Sequence, residues 1–180
     1  MRAEPKKLAA AAVCGAAYAA LTVLLSPISY GPIQLRLSET LCILPYFMPC
    51  TVWGLFLGCA LANIVTGNVF DVIFGALATL LAAYLTSLAP RLGGGRASRL
   101  VACAAPVAVN ALVVGAVITF AYNGVDPLSH GGAFFLNAGQ IALGEALVLF
   151  AAGLPLLRWL PNNKAFREIA EKINGKSEER

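Results

Sequence analysis

Arg36 and Glu39 stand between hydrophobic runs too long for a soluble fold, in the stretch YGPIQLRLSETLCILPYFMP from Tyr30 to Pro49. Charges persist at bilayer depth only where protein or trapped water shields them, so the chain has to build a polar pocket around this pair. The stretch is expected to form the floor or lid of a small-molecule site. Only 12% of the 180 residues are charged and 59% are hydrophobic, with a mean hydropathy of +0.77. A soluble domain carries about 25% charged residues. A spanning helix consumes roughly 20 apolar residues, which leaves room for five or six passes and no sizeable soluble domain.

The net charge of +4 is concentrated at Arg2, Lys6 and Lys7, at Arg91, Arg96 and Arg99, and at Arg158, Lys164, Arg167, Lys172 and Lys176. Basic residues favour cytoplasmic loops, so both termini and the RLGGGRASR loop are expected inside. A basic stripe interleaved with aromatics is absent, which argues against nucleic acid as a partner. Cys14, Cys42, Cys50, Cys59 and Cys103 form no CxxC pair and read as small packing residues, with neither a metal site nor a disulfide framework.

The first apolar run, Leu8 to Leu25, follows a basic head like that of a secretory signal. It exceeds the usual signal core of roughly 7 to 15 residues, and no small-x-small site follows before Pro27, so a retained first helix is expected. Two small-residue ladders run along it: Ala12, Ala16 and Ala20, and Ala11, Gly15 and Ala19. Such ladders admit a second helix at close range, either from the same bundle or from a separate subunit. The prolines and glycine of PISYGPIQLR then break helix. A short helix is expected from Ser38, as its N-cap, to Pro49. Further passes are expected over Cys50–Val65, Phe70–Leu88, Leu100–Tyr122 and Ala133–Leu160. If the termini and the Gly-rich loop lie on one side, the Ser38 helix must count as a crossing even though it is short of a full span. The expected architecture is thus an all-α membrane protein, a six-transmembrane-helix bundle over residues 1–160 with a polar cytoplasmic tail at 161–180.

This topology gathers Gln34, Arg36, Glu39, Asn63, Asn68, Asp71, Asn123, Asn137 and Gln140 at the external side. Asn137, Gln140 and Gly144 share one helical face, and so do Asp71, Gly75, Ala78 and Ala82. Each polar residue also has a structural reading: Asn68 with Asp71 as a cap, Arg36 with Glu39 as a neutralising pair, Asn110 as interhelical glue, and Glu145 as a contact of either a ligand or a polar neighbour. No GxxxxGK[ST], HExxH or GxSxG is present, so neither ATP hydrolysis nor hydrolytic catalysis is expected of the chain.

The run GPIQLRLSETLCILPYF, with GLFLGCALANI and DVIFGALATLLAAYLTSL, resembles the queuosine-precursor transporter family (QueT), substrate-binding S components of energy-coupling factor (ECF) transporters. The resemblance implies a six-helix S component in a prokaryotic plasma membrane. It would capture a deazaguanine such as preQ1 outside, join a transmembrane coupling subunit and two ATPases, and topple to release its cargo, with no cofactor or metal. Ala12, Ala16 and Ala20 would meet the coupling subunit. Glu39 would take the donor edge of the base, with Asn137 and Gln140 completing it and Asn63 in the same set. Asp71 would meet the aminomethyl cation, Arg36 would orient Glu39, and Trp53 or Phe74 would stack. The alternatives are a carrier for another flat vitamin-like ligand, a membrane enzyme with Glu39 or Asp71 as base, and a structural subunit.

Overall fold

The computed structural model describes residues 5–31 and 33–175; Arg2 and Lys176 of the basic clusters lie outside the described residues. These residues form helices without a strand: α1 (Pro5–Leu24), α2 (Ser26–Ser29), a 3₁₀ segment (Leu37–Tyr46), α3 (Thr51–Asn63), α4 (Ala76–Leu88), α5 (Arg96–Val117), α6 (Gly131–Val148), α7 (Leu154–Trp159) and α8 (Lys164–Asn174). One-turn π segments extend three of them: Asp71–Gly75 leads into α4, Ile118–Tyr122 continues α5, and Leu149–Gly153 joins α6 to α7. Among the described residues four continuous helices are long and apolar enough to cross a bilayer: Pro5–Leu24, Asp71–Leu92, Arg96–Tyr122 and Gly131–Asn162. Thr51–Thr66 is apolar but shorter.

The expected Ser38 helix differs from its reading. It is a 3₁₀ helix beginning at Leu37, and Ser38 does not cap it; the Ser38 hydroxyl instead pairs with that of Thr22 at 2.6 Å. Pro45 inside the segment has no N–H to donate and would crowd the preceding turn of an α-helix, which favours the tighter winding. At a rise of about 2.0 Å per residue, its ten residues reach roughly 20 Å, further than the same number in an α-helix.

The closest seam in the bundle joins α1 to α3. The carbonyls of Ala11 and Gly15 occupy the space where side chains at Gly54 and Gly58 would stand, and the Gly54 carbonyl does the same to Gly15. Only glycine permits this backbone approach. The second ladder of α1 thus packs inward, while Ala12, Ala16 and Ala20 remain exposed. Around the seam lies a core of Cys14, Tyr18, Cys42, Val52, Leu55, Cys59 and Ala83. A second core, including Ile43, Ala102, Leu149 and Leu157, closes the opposite half of the 3₁₀ segment. Leu57, Leu61, Leu77, Leu81, Leu112 and Leu143 point outward, as they do where lipid replaces water. All five cysteines are free thiols, and only Cys50 among them is not buried.

The chain reverses between successive long helices, so the basic clusters share one end of the bundle. There α8 folds back on the body: Asn163 caps it by accepting from the Phe166 N–H at 3.2 Å, and Phe166 meets the Phe47 ring edge-on at 5.3 Å. Asn174 Nδ2 donates to the Phe47 carbonyl at 2.9 Å. The opposite end carries the polar residues.

Candidate functional site

Five segments distant in sequence meet at that opposite end around a cavity of about 530 Å³, within the range of small-molecule sites. Tyr30, Gly31 and Gln34 come from the loop after α2, Val65 and Thr66 from the 3₁₀ turn Ile64–Thr66 that follows α3, and Asp71 from the π turn before α4. Ile118, Tyr122 and Asn123 come from the end of α5, and Asn137 and Gln140 from the second and third turns of α6. Both π segments that touch the cavity present a polar side chain to it. Tyr122, from one, donates its hydroxyl to Asp71 Oδ2, from the other, at 2.9 Å. The extra residue in a π turn rotates the helix beyond it, a device seen often at functional sites.

Asp71 is buried, and so is the backbone that carries it: Asn63 Nδ2 donates to the Asp71 carbonyl at 2.9 Å and to Cys59 Sγ at 3.5 Å. Asn63 therefore positions Asp71 without lining the cavity. The expected cap by Asn68 and Asp71 is only half present, since Asn68 accepts from the Phe70 N–H at 2.9 Å while Asp71 turns toward Tyr122. Asn137 Nδ2 donates to Thr119 Oγ1 at 2.9 Å, and that hydroxyl donates to the Gly115 carbonyl at 2.7 Å, so the amide is held with its oxygen uncommitted.

The loop from Tyr30 to Arg36 closes one wall. Gln34 has φ +46°, the only described non-glycine residue in the left-handed region, and the Arg36 N–H bonds back to its carbonyl at 2.8 Å. Gly144 makes room for this loop: a Cβ there would overlap the Ile33 carbonyl oxygen and lie 3.2 Å from that of Gln34. The shared face of Asn137, Gln140 and Gly144 is therefore two amides on the cavity and a bare backbone under the loop.

Arg36 and Glu39 sit beneath the cavity wall, and they do not form the expected pair. Glu39, 1% exposed, accepts from the Tyr18 hydroxyl through Oε1 and from Cys42 Sγ through Oε2 at 2.9 Å. Arg36, 4% exposed, donates from Nε to the Ser29 carbonyl at 3.3 Å and places its guanidinium carbon 5.4 Å from the centre of the Tyr30 ring. Its Nη2 has no hydrogen-bond partner. Glu39 points toward α1, so the group that hydrogen-bonds its Oε1 is the Tyr18 hydroxyl and not the Arg36 guanidinium. Asn110 and Glu145 meet each other, Nδ2 to Oε1 at 2.9 Å, which joins α5 to α6.

Trp53 and Phe74, expected to stack on a ligand, face away from the cavity. Trp53 is 62% exposed in an outer groove with Leu77, Leu81 and Tyr84, and Phe74 lies in another with Phe70, Leu112 and Phe120. Gly54 and Gly58 turn their side of α3 into the α1 seam, which leaves Trp53 outward. The rings that do line the cavity are Tyr30 and Tyr122. His130 is exposed in the loop after α5, near Asp126. Asp126 accepts from the Leu128 N–H and the Ser129 hydroxyl, which hold its carboxyl below the usual carboxylate range. Among the described residues no cluster of His, Cys, Asp or Glu suits a metal ion.

Sequence reasoning missed Tyr18 and Thr119. Tyr18 is the single ring in an alanine-rich helix, a signal available but unread. Thr119 carries none, because a threonine bonding its own helix four residues back is common in apolar helices.

One relative is the "Queuosine precursor transporter QueT" of Lactococcus lactis subsp. cremoris (strain MG1363), 41% identical over 71 residues, or 38% of this chain. The match spans 42% of that relative's length. No solved structure matches the chain. The model of the QueT transporter family matches residues 8–162, the whole bundle including all five segments around the cavity. With several apolar helices long enough to cross a bilayer, this multi-pass membrane protein belongs to the QueT transporter family.

Proposed function

We propose that the chain is the substrate-capturing S component of an ECF-type importer and that its cavity binds a queuosine precursor, a deazaguanine of the preQ1 kind. The observation that carries this reading is the convergence of Asp71, Gln34, Asn137 and Gln140 with two tyrosine rings in one open cavity. A deazaguanine needs acceptors for its ring N–H and amino group, a donor for its carbonyl and a flat surface; the amides and rings supply these. An aminomethyl cation fits Asp71, whose carboxylate is engaged by Tyr122 through Oδ2 and leaves Oδ1 for the ligand. Glu39 and Asn63 act from behind the wall, fixing the loop and Asp71. The identity of the named relative supports the ligand class.

The orientation is set by the basic end. With that end cytoplasmic, the cavity opens outward, and the 3₁₀ segment with α3 completes six crossings. The tail helix α8 then lies in the cytoplasm. The exposed Ala12, Ala16 and Ala20 are the face for a transmembrane coupling subunit, since the other ladder of α1 is already occupied by α3. Two ATPase subunits supply the energy that no motif here provides.

Affinity purification of the chain from its membranes, with mass spectrometry of the small molecules and proteins that co-elute, tests both halves. A deazaguanine with ATPase and coupling subunits is the expected result. A different flat ligand would overturn the substrate, and turnover products without ATPases would overturn the transport reading.

A further inference from the structure

Tyr30 is one of the two rings offered to the ligand, and the Arg36 that covers it is a group the proposed ligand contacts do not use. The Tyr30 hydroxyl is committed to the Ala62 carbonyl at 2.6 Å, so what the residue offers the cavity is its ring. The loop is pinned on both sides of that ring, by Tyr30 to α3 and by Ile33 and Gln34 against Gly144. Arg36 covers the ring with its guanidinium at 5.4 Å but is itself buried and absent from the cavity wall, so it stands behind the ring. Its Nη2 is unpartnered. A cation over one face of an aromatic draws electron density from the other face.

We infer that Tyr30 is the platform on which the bound base stacks, and that Arg36 behind it makes the platform select a neutral, electron-rich ring over a cationic one. The inference rests on the cavity being a base-binding site. A pyrrole-fused deazapurine ring is electron-rich, and its positive charge, where present, sits on a substituent that Asp71 can reach without touching the platform. A ring carrying the charge in its own π-system would instead face the guanidinium through the tyrosine and be rejected. Stacking on a fixed ring costs little ordering, because Tyr30 is held before the ligand arrives.

The test uses the full chain in lipid nanodiscs, titrated with two probes, 7-deazaguanine and the cationic 7,9-dimethylguaninium, and read by calorimetry and by ultraviolet hypochromism of the bound base. Wild type is expected to prefer the neutral ring by about 10-fold or more and to show hypochromism. Tyr30→Phe keeps both within a few-fold, because the ring remains. Tyr30→Leu loses on the order of 10-fold in affinity for 7-deazaguanine and the spectral change with it. If wild type binds no base, the reading of the cavity falls and this inference falls with it. If wild type binds and Tyr30→Leu binds equally with unchanged hypochromism, only the platform is wrong. Should Tyr30→Leu fail to fold, Tyr122→Leu decides: hypochromism that survives there supports Tyr30, and hypochromism lost there moves the platform to Tyr122. Equal affinity of wild type for the two probes overturns the part played by Arg36.

Discussion

Gly144→Ala separates the fold from the site more sharply than any other single change. The added methyl would overlap the Ile33 carbonyl oxygen and stand 3.2 Å from both the Ile33 carbonyl carbon and the Gln34 carbonyl oxygen. Both neighbours are backbone, so no rotamer change can clear the space. To regain the ~3.5 Å of an ordinary contact, the loop must retreat by about 1.4 Å. Two terms then oppose each other in global stability. Overpacking costs about 1–3 kcal/mol, and alanine in place of a helical glycine returns about 1 kcal/mol. The net change is small, on the order of 1 kcal/mol destabilising.

Affinity has no such compensation. The retreating loop carries Tyr30 and Gln34 out of register with Asn137 and Gln140, and losing one well-placed hydrogen bond is worth about 1 kcal/mol or more. A queuosine-precursor base should therefore bind roughly 10-fold more weakly to Gly144→Ala, while the thermal midpoint in detergent falls by only a few degrees. Gly139→Ala is the control. It lies on the same helix, is exposed, and its added Cβ meets nothing within 4 Å. It should gain slightly in stability and bind as wild type does. Calorimetric titration of all three proteins decides the matter: wild-type affinity in Gly144→Ala, or an equal loss in Gly139→Ala, would refute the view that this loop is a wall of the site held by its contact with α6.

Three further outcomes are expected. Asp71→Asn removes the negative charge that faces a cationic substituent, so affinity for an aminomethyl-deazaguanine should drop by about 10-fold or more while affinity for unsubstituted 7-deazaguanine changes far less; competition titration measures both. Tyr18→Phe leaves Glu39 Oε1 buried without its donor, which should cost about 1–3 kcal/mol in thermal unfolding. The double change Trp53→Leu with Phe74→Leu touches only the outer face, so ligand affinity should stay within about twofold while reconstitution into bilayers is tested by flotation.

The sequence carried the partition into apolar passes and the end at which polar side chains gather, because both are consequences of hydropathy and of the alternation of helices across a bilayer. Asp71, Asn137 and Gln140 were legible as cavity-lining groups for that reason; Asn110 and Glu145 were legible only as groups in need of polar partners, and their pairing with each other was not. The features that stayed hidden depend on rotation about helix axes. Trp53 is two residues after Thr51 and one before Gly54, and only the α1 seam decides that its ring points to lipid. The π turns that bring Asp71 to Tyr122 add one residue to a helical turn, and neither contains a proline that would mark the insertion. The 3₁₀ winding of Leu37–Tyr46 likewise needs its neighbours, since only packing between α1, α4 and the second core stabilises so long a run of it.

A single close approach ties these hidden features together. Because α1 lies against the bare backbone at Gly54 and Gly58, Tyr18 reaches across to Glu39, and Thr22 reaches Ser38. Those two contacts fix the start of the 3₁₀ segment, and with it the place of Arg36 under Tyr30. The ladder that packs inside the protein thus sets the geometry of the cavity, although none of its residues lines it. The ladder left outside, Ala12, Ala16 and Ala20, is carried on the same rigid helix. A helix that met a partner on that face and shifted by even about 1 Å would strain the seam at once, since backbone against backbone has no slack. The loop that walls the cavity is the element such a shift would reach first, through Tyr18 and Glu39.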